Sequence, residues 1–167
     1  VTRAEPTRVM APTPAVLPDD AKAYGRTLWF DAYAGGTIFR HVVHPLFHQT
    51  IVAPNIRKVT SDKAVIDDVL NNVQPKIFGY LESQIDGKFL VGNTMTLADI
   101  AIVSNFIVYQ YIGYKLDGAA YPKLCQYVRG IAGQYSLKDE LTRLRSLPRV
   151  VKGKDLLFND GPQSFSK

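Results

Sequence analysis

The strongest constraint on the fold is a helix-start signal followed by a long apolar run, between residues 89 and 113. Thr96 occupies an N-cap position, where its hydroxyl can accept a hydrogen bond from the N–H of Asp99. Asp99 can bond back to the N–H of Thr96, which completes a capping box, and Met95 and Ile100 can pack as a hydrophobic staple. The Asp99 carboxylate also interacts favourably with the helix dipole. These signals predict a helix that begins at Leu97.

This predicted helix has no polar face along its length to Gly113. Its apolar residues are Ile100, Ile102, Val103, Phe106, Ile107, Val108, Tyr109, Tyr111 and Ile112. A helix that is apolar all round lies in a protein core or in a membrane. A membrane span needs ~20 nearly uninterrupted apolar residues, whereas this run is shorter and contains Asp99, Ser104, Asn105 and Gln110. We therefore expect a buried central helix.

The segment Phe89–Ile102 resembles the start of the central helix in the C-terminal domain of glutathione S-transferases. The resemblance is most specific at Gly92, Thr96, Ala98, Asp99 and Ile100, and it extends more weakly from about Leu17 to Leu147. It implies an all-α bundle with a long kinked first helix and a buried central helix.

The resemblance also suggests how the chain is divided. Residues 1–18 contain four prolines and are predicted to be a linker or extended arm, residues 19–147 a helical domain, and residues 148–167 an irregular tail. In glutathione S-transferases such a linker follows a thioredoxin-like domain. Because the chain begins at Val1 rather than Met, we expect a fragment, a processed chain or a trimmed one.

The first helix is predicted from Asp19-Asp20 to about Val52, followed by a loop over residues 54–61. Pro45 removes one helical hydrogen bond and predicts a kink. Gly35 and Gly36 each lower helix stability by about 1 kcal/mol relative to alanine. Two such residues together predict close approach of another helix, another domain or a ligand.

Three further helices are predicted. One begins at Ser61 or Asp62 and runs to about Ile85, where Gly87 suits a left-handed cap. Another begins at Tyr121-Pro122, and a short one covers residues 136–147.

Charge and cysteine content narrow the function classes. The net charge is +5 and the pI about 9.3, yet basic and acidic residues are mixed along most of the chain. The basic residues near the C-terminus lack interleaved aromatics for base stacking, so we expect a solvated tail and no nucleic-acid partner. A single cysteine and the absence of a signal peptide or membrane run predict a cytoplasmic protein without a membrane partner.

Two residue types that often bear chemistry have structural explanations here. His41, His44 and His48 are spaced along one predicted helix, but no acidic residue adjoins them and Pro45 interrupts the turn, so no metal site is expected. Cys125 is predicted to be a core residue because no histidine adjoins it in sequence. No catalytic residue is assigned.

The resemblance implies a role in conjugating glutathione to hydrophobic electrophiles, a detoxification reaction. The missing thioredoxin-like domain would bind glutathione and activate its thiol, and the helical domain would supply the electrophile wall and part of a homodimer interface. Glutathione is a cosubstrate, and no tightly bound cofactor is expected. The expected substrate-binding residues are Tyr33, Gly36, Thr37, Arg40, Asn105 and Tyr109, with Arg40 facing a glutathione carboxylate.

Two alternatives remain open. Similar helical domains are appended to translation elongation factor gamma subunits and some aminoacyl-tRNA synthetases, where they mediate assembly without catalysis. This function predicts an apolar surface patch used by a partner. Polyanion binding by the basic tail is the other alternative.

Overall fold

A computed structural model describes residues 16–133, which form four helical rods and no strand. The predicted all-α architecture is confirmed. The first rod, α1, covers residues 21–57. It alternates between α-helix and wider π-helix over the segments Ala21–Tyr33 (α), Ala34–Val43 (π), His44–Phe47 (α) and His48–Arg57 (π).

The other three rods are shorter. The second, α2, consists of α-helix Lys63–Asp68, π-helix Val69–Val73 and α-helix Gln74–Gln84. The third, α3, is the central helix Leu97–Tyr111, and the fourth, α4, is Pro122–Ala132. The predicted helix at 136–147, the tail 148–167 and most of the 1–18 linker lie outside the described residues.

The two ends of α1 show how local chemistry sets its length. Asp20 caps the start, where its carboxylate accepts the N–H of Ala23 at 2.8 Å. The rod continues through Pro54, where the sequence predicted a loop, and ends at Lys58 in the left-handed region at φ 56°. The wide π turns around Pro54 accommodate a residue without an N–H, which explains the longer helix.

The irregularity predicted at Pro45 takes the form of two widened segments. Pro45 lies in a four-residue α segment between two π segments. The N–H of His44 bonds to the carbonyl of Phe39, five residues back. The wider turns leave room for the proline ring without ending the helix.

The central helix α3 packs against α1 and α4. Its core side includes Phe106, whose ring lies 5.0 Å from that of Phe78 in α2. One stripe remains accessible, because Ser104 is exposed and Ala101 and Val108 are partly exposed. The expectation that α3 is buried therefore holds for its core side and fails along this stripe.

Chain turns at the ends of α2 and α3 differ from each other. Gly113 adopts φ 97°, and the N–H of Tyr114 bonds to the carbonyl of Tyr109 at 3.2 Å, which ends α3 in a Schellman-type turn. By contrast, α2 ends with Ile85 in an extended conformation. Gly87, predicted to be left-handed, does not have a positive φ.

Contacts from distant parts of the chain fix the starts of the helices. The Glu82 carboxylate of α2 accepts the N–H groups of Lys123 and Leu124 at 3.0 and 2.7 Å, and so caps α4. The carbonyl of Val16 accepts the N–H of Leu97 at 2.8 Å. No helix within residues 16–133 is both long and apolar enough to cross a membrane.

Candidate functional site

The first site that sequence analysis singled out is the capping box at the start of α3. Thr96 and Asp99 form this box, and Asp99 is fully buried. The Asp99 carboxylate accepts the N–H of Thr96 at 2.8 Å and the hydroxyl of Thr96 at 2.9 Å. It also accepts the N–H of Leu90 and the hydroxyl of Tyr127, each at 2.9 Å. Four donors leave this carboxylate a structural hub with no free face for chemistry.

Tyr127 completes this hub from α4 and could not be identified from the local sequence. Burial, followed by the adjacent negative charge of Asp99, raises the pKa of Tyr127 far above its ordinary range. The phenol therefore remains a neutral donor. It ties α4 to the start of α3.

The candidate binding site is a groove of about 490 Å³ between α1 and α3, called the α1–α3 groove below. Helix α1 contributes Asp31, Ala34, Gly35 and Phe39, and helix α3 contributes Ala101, Ser104, Asn105 and Val108. Most of these side chains are apolar or small. Phe39 is 46% exposed, so a large aromatic surface is available to a bound molecule.

Gly35 leaves the groove open on the α1 side. A Cβ added at Gly35 or at Gly36 would meet no atom within 4 Å. The close approach that the glycine pair predicted is therefore not made by any described part of this chain.

None of the predicted α1 residues lines the groove, but most of them are close in sequence to residues that do. Gly35 and Phe39 line it, whereas Gly36, Thr37 and Arg40 are not among its lining residues. Gly36 and Arg40 are exposed and Thr37 is partly exposed. The lining residues Asp31, Gly35 and Phe39 are spaced four residues apart and lie on a face of α1 next to the predicted one. Helix periodicity alone does not indicate which of the two faces points toward α3.

Tyr33 lies toward α2. Its ring centroid is 5.1 Å from that of Tyr80 and 6.2 Å from that of Trp29. Burial and the adjacent Tyr80 raise the pKa of Tyr33. The structure therefore groups Tyr33 with an aromatic cluster between α1 and α2, apart from the α1–α3 groove.

Of the two predicted α3 residues, only Asn105 lines the groove. Tyr109 is 2% exposed, and its hydroxyl donates to the Gln74 side chain at 2.8 Å. Burial is the main cause of its raised pKa. A side chain enclosed in this way contacts the core of the domain, so the structure does not bring Tyr109 to the groove.

The polar groups of the groove are mainly hydrogen-bond acceptors. The hydroxyl of Ser104 and the amide nitrogen of Asn105 each donate to the carbonyl of Ala101 at 2.9 Å. Asp31 is half-buried, and its carboxylate has no hydrogen bond or ion pair within residues 16–133. None of the described residues that line the groove is a histidine, cysteine or tyrosine.

The other candidates for chemistry lie elsewhere. Cys125 is buried, its thiol lies 3.9 Å from the carbonyl of Leu116, and burial raises its pKa to about 11. It is therefore a poor nucleophile. The rings of His44 and His48 lie 6.5 Å apart on α1, and residues 16–133 contain no group of three potential metal ligands.

Comparison with solved structures identifies the same fold in glutathione S-transferases. The chain is 22% identical to a glutathione S-transferase from Rhodospirillum rubrum F11, with a TM-score of 0.69 over 78% of this chain and 58% of that chain. It is 18% identical to one from Sinorhizobium meliloti 1021, with a TM-score of 0.68 over 84% of this chain and 63% of that one.

A third similar structure is glutathione S-transferase-I bound with lactoylglutathione, at 19% identity and a TM-score of 0.62. The match covers 72% of this chain and 56% of that one. The chain thus spans less than two thirds of the length of each of these proteins. No curated protein sequence matches it.

The sequence profile of the family described as glutathione S-transferase, C-terminal domain, matches residues 41–134. This match covers more than half of the 167 residues and includes the Asp99 hub and helices α2, α3 and α4. The chain belongs to the glutathione S-transferase C-terminal domain family.

Proposed function

We propose that the α1–α3 groove is part of the electrophile-binding wall of a protein that conjugates glutathione to hydrophobic electrophiles. The observation that carries this proposal is the open, largely apolar groove beside Gly35. A glycine inside a helix costs about 0.5–1 kcal/mol relative to alanine, and no described contact offsets that cost. Space for a ligand gives a functional reason for glycine at position 35.

Glutathione is the proposed cosubstrate of the whole protein, and its thiol would be activated outside the groove. A similar solved structure is bound with lactoylglutathione, which supports this choice of cosubstrate. Arg40, exposed beside the groove, is the proposed contact for a glutathione carboxylate. The Arg40→Gln variant should raise KM for glutathione, and an unchanged value would remove Arg40 from the proposal.

Substitution of Gly35 tests the groove with a matched control. We expect Gly35→Ala and Gly79→Ala each to raise the free energy of unfolding by about 0.5–1 kcal/mol, because both glycines are helical and neither added Cβ meets an atom within 4 Å. Gly35→Leu should raise KM for an aryl chloride electrophile and leave KM for glutathione unchanged.

The kinetic assay uses the native polypeptide with glutathione and 1-chloro-2,4-dinitrobenzene. Gly79→Leu, on α2, should leave KM for the electrophile unchanged as long as the protein stays folded. Equal KM values for the two leucine variants, or no conjugation by the native polypeptide, would contradict the proposal.

The proposed homodimer face is the N-terminal half of α1. Tyr24, Leu28 and Trp29 are 42%, 41% and 55% exposed there, so one helix presents a cluster of large apolar side chains. Leu28→Glu should shift sedimentation of the native polypeptide from dimer to monomer. We also propose that the protein is cytoplasmic, where its single thiol stays reduced.

A second candidate function, that of a non-catalytic interaction module, is supported by the far end of α1. Ile56 is 66% exposed and Val59 54% exposed. The turn that carries them is ordered by hydrogen bonds, since Ser61 donates to the carbonyl of Gln49 at 2.7 Å and Val59 to that of Ala53 at 2.9 Å. If conjugation is absent, loss of a native complex in an Ile56→Ser, Val59→Ser variant would favour this function.

A further inference from the structure

The α1–α3 groove combines apolar surface with polar groups, which include hydrogen-bond acceptors and a negative charge. Phe39, Ala101 and Val108 supply apolar surface, and Phe39 is nearly half exposed. Asp31, Ser104 and Asn105 supply the polar groups. A ligand that fills the groove therefore meets both kinds of surface.

The hydrogen bonds within α3 determine which ligand groups Ser104 and Asn105 can bind. The hydroxyl of Ser104 donates its proton to the carbonyl oxygen of Ala101, and Asn105 donates one of its two amide protons to the same oxygen. The oxygen atoms of both side chains remain available as acceptors. The groove is therefore better suited to a hydrogen-bond donor than to a ligand acceptor.

Asp31 adds a negative charge that has no counterpart among the described residues lining the groove. None of the eight lining residues is a lysine, arginine or histidine, and the Asp31 carboxylate has no ion pair within residues 16–133. Asp31 is half-buried beside Ala34 and Gly35, where solvent screens its charge less than at a fully exposed position. A cationic ligand group beside Asp31 gains the carboxylate as a partner, whereas an anionic group is repelled.

We infer that the α1–α3 groove selects molecules with an aromatic or aliphatic body and a protonated amine, and that Asp31 is the specificity-determining residue. The body packs on Phe39 and Val108, and the ammonium group donates to the Asp31 carboxylate. This inference rests on the proposed function, because it names the class of molecule that the same groove binds.

Three probes with the same phenethyl body test the charge preference. Phenethylamine, 2-phenylethanol and 3-phenylpropionate share a phenyl group but carry a cation, a neutral hydroxyl and an anion at pH 7. Each is titrated into the ¹⁵N-labelled chain, and affinity is taken from amide shifts of Gly35, Ser104 and the Asn105 side chain. We expect phenethylamine to bind about three- to fivefold more tightly than the alcohol, and 3-phenylpropionate most weakly.

Substitution of Asp31 separates the effect of its charge on ligand affinity from the effect of its side-chain shape. Asp31→Asn keeps the side-chain volume and should bring phenethylamine and 2-phenylethanol to equal affinity. Asp67→Asn, an exposed position on α2, is the matched control and should keep the amine preference. An increase in salt to 0.5 M should reduce the preference in the unsubstituted chain, which checks the charge effect without any variant.

The outcomes separate this inference from the proposed function. Equal binding of amine and alcohol at the groove, or an amine preference that survives Asp31→Asn, would overturn the inference and leave the groove as a binding site. If none of the probes shifts the groove resonances, both the inference and the role of the groove in the proposed function fail.

Discussion

Replacement of Asp99 by alanine should come close to unfolding the domain. The buried carboxylate accepts four hydrogen bonds that join the loop before α3, the first turn of α3, and α4. Alanine would leave the N–H groups of Leu90 and Thr96 and the hydroxyl of Tyr127 without an acceptor in a buried region. The Thr96 hydroxyl can rotate, but the two N–H groups cannot.

The loss in the free energy of unfolding follows from the number of hydrogen-bond donors left without an acceptor. Each buried donor without a partner costs about 1–3 kcal/mol, so three donors predict a loss of about 3–9 kcal/mol. This is a large share of the roughly 5–15 kcal/mol that stabilises a typical domain. At roughly 4 °C per kcal/mol for a domain of this size, Tm should fall by about 12 °C or more.

Thermal unfolding followed by circular dichroism measures this loss. Tyr127→Phe removes one donor and leaves the carboxylate with three, so it should cost only about 1–2 kcal/mol. Asp67→Ala, an exposed position on α2, should change stability by less than about 0.5 kcal/mol. An Asp99→Ala protein that melts within about 3 °C of the Asp67→Ala protein, a difference of less than about 1 kcal/mol, would refute the role of Asp99 as a structural hub.

Three further predictions concern other parts of the domain. Glu82→Ala should cost about 1–2 kcal/mol in urea unfolding, because it uncaps the N–H groups of Lys123 and Leu124, and an unchanged midpoint would contradict this cap. Lys58→Gly should stabilise the chain by up to about 1 kcal/mol, since glycine adopts the left-handed φ of 56° without strain; a lower Tm would contradict it. Burial raises the pKa of Cys125 from 9.0 to about 11, so its thiol should react with a maleimide at pH 8 about 100-fold more slowly than in the urea-unfolded chain, and similar rates would contradict burial. Because the folded pKa is the higher one, the stability that Cys125 contributes is intact below pH 9 and is lost as the pH rises through about 11.

Features that depend on neighbouring residues could be predicted from the sequence. The helix caps at Asp20, Asp62 and Thr96 each involve groups within three residues, so the residue types alone indicate them. The apolar run after Thr96 likewise predicts a buried helix wherever the rest of the chain packs. These local signals, with the family resemblance, were enough for the all-α fold.

Features that join distant residues could not be predicted in the same way. Tyr127 lies 28 residues from the carboxylate that it contacts, and Glu82 lies 41 residues from the N–H of Lys123. Nothing in the local sequence pairs these groups. The pairing follows from how α2, α3 and α4 pack.

The groove shows a third limit, the rotational phase of a helix. A regular α-helix places Tyr33, Gly36 and Arg40 on one face, and this was the predicted site. The same periodicity places Asp31, Gly35 and Phe39 on a neighbouring face, and it is these residues that line the groove. The sequence does not indicate which of the two faces lies against α3. The rings of Tyr33 and Tyr109, two of the predicted site residues, pack against Tyr80 and Phe78.

A crystal structure of the native polypeptide with a glutathione conjugate of an aromatic electrophile would test the central proposal most directly. The proposal predicts that the aromatic part of the conjugate lies in the α1–α3 groove, in contact with Phe39 and Val108 and next to Gly35. A conjugate bound elsewhere, with the groove empty, would contradict it.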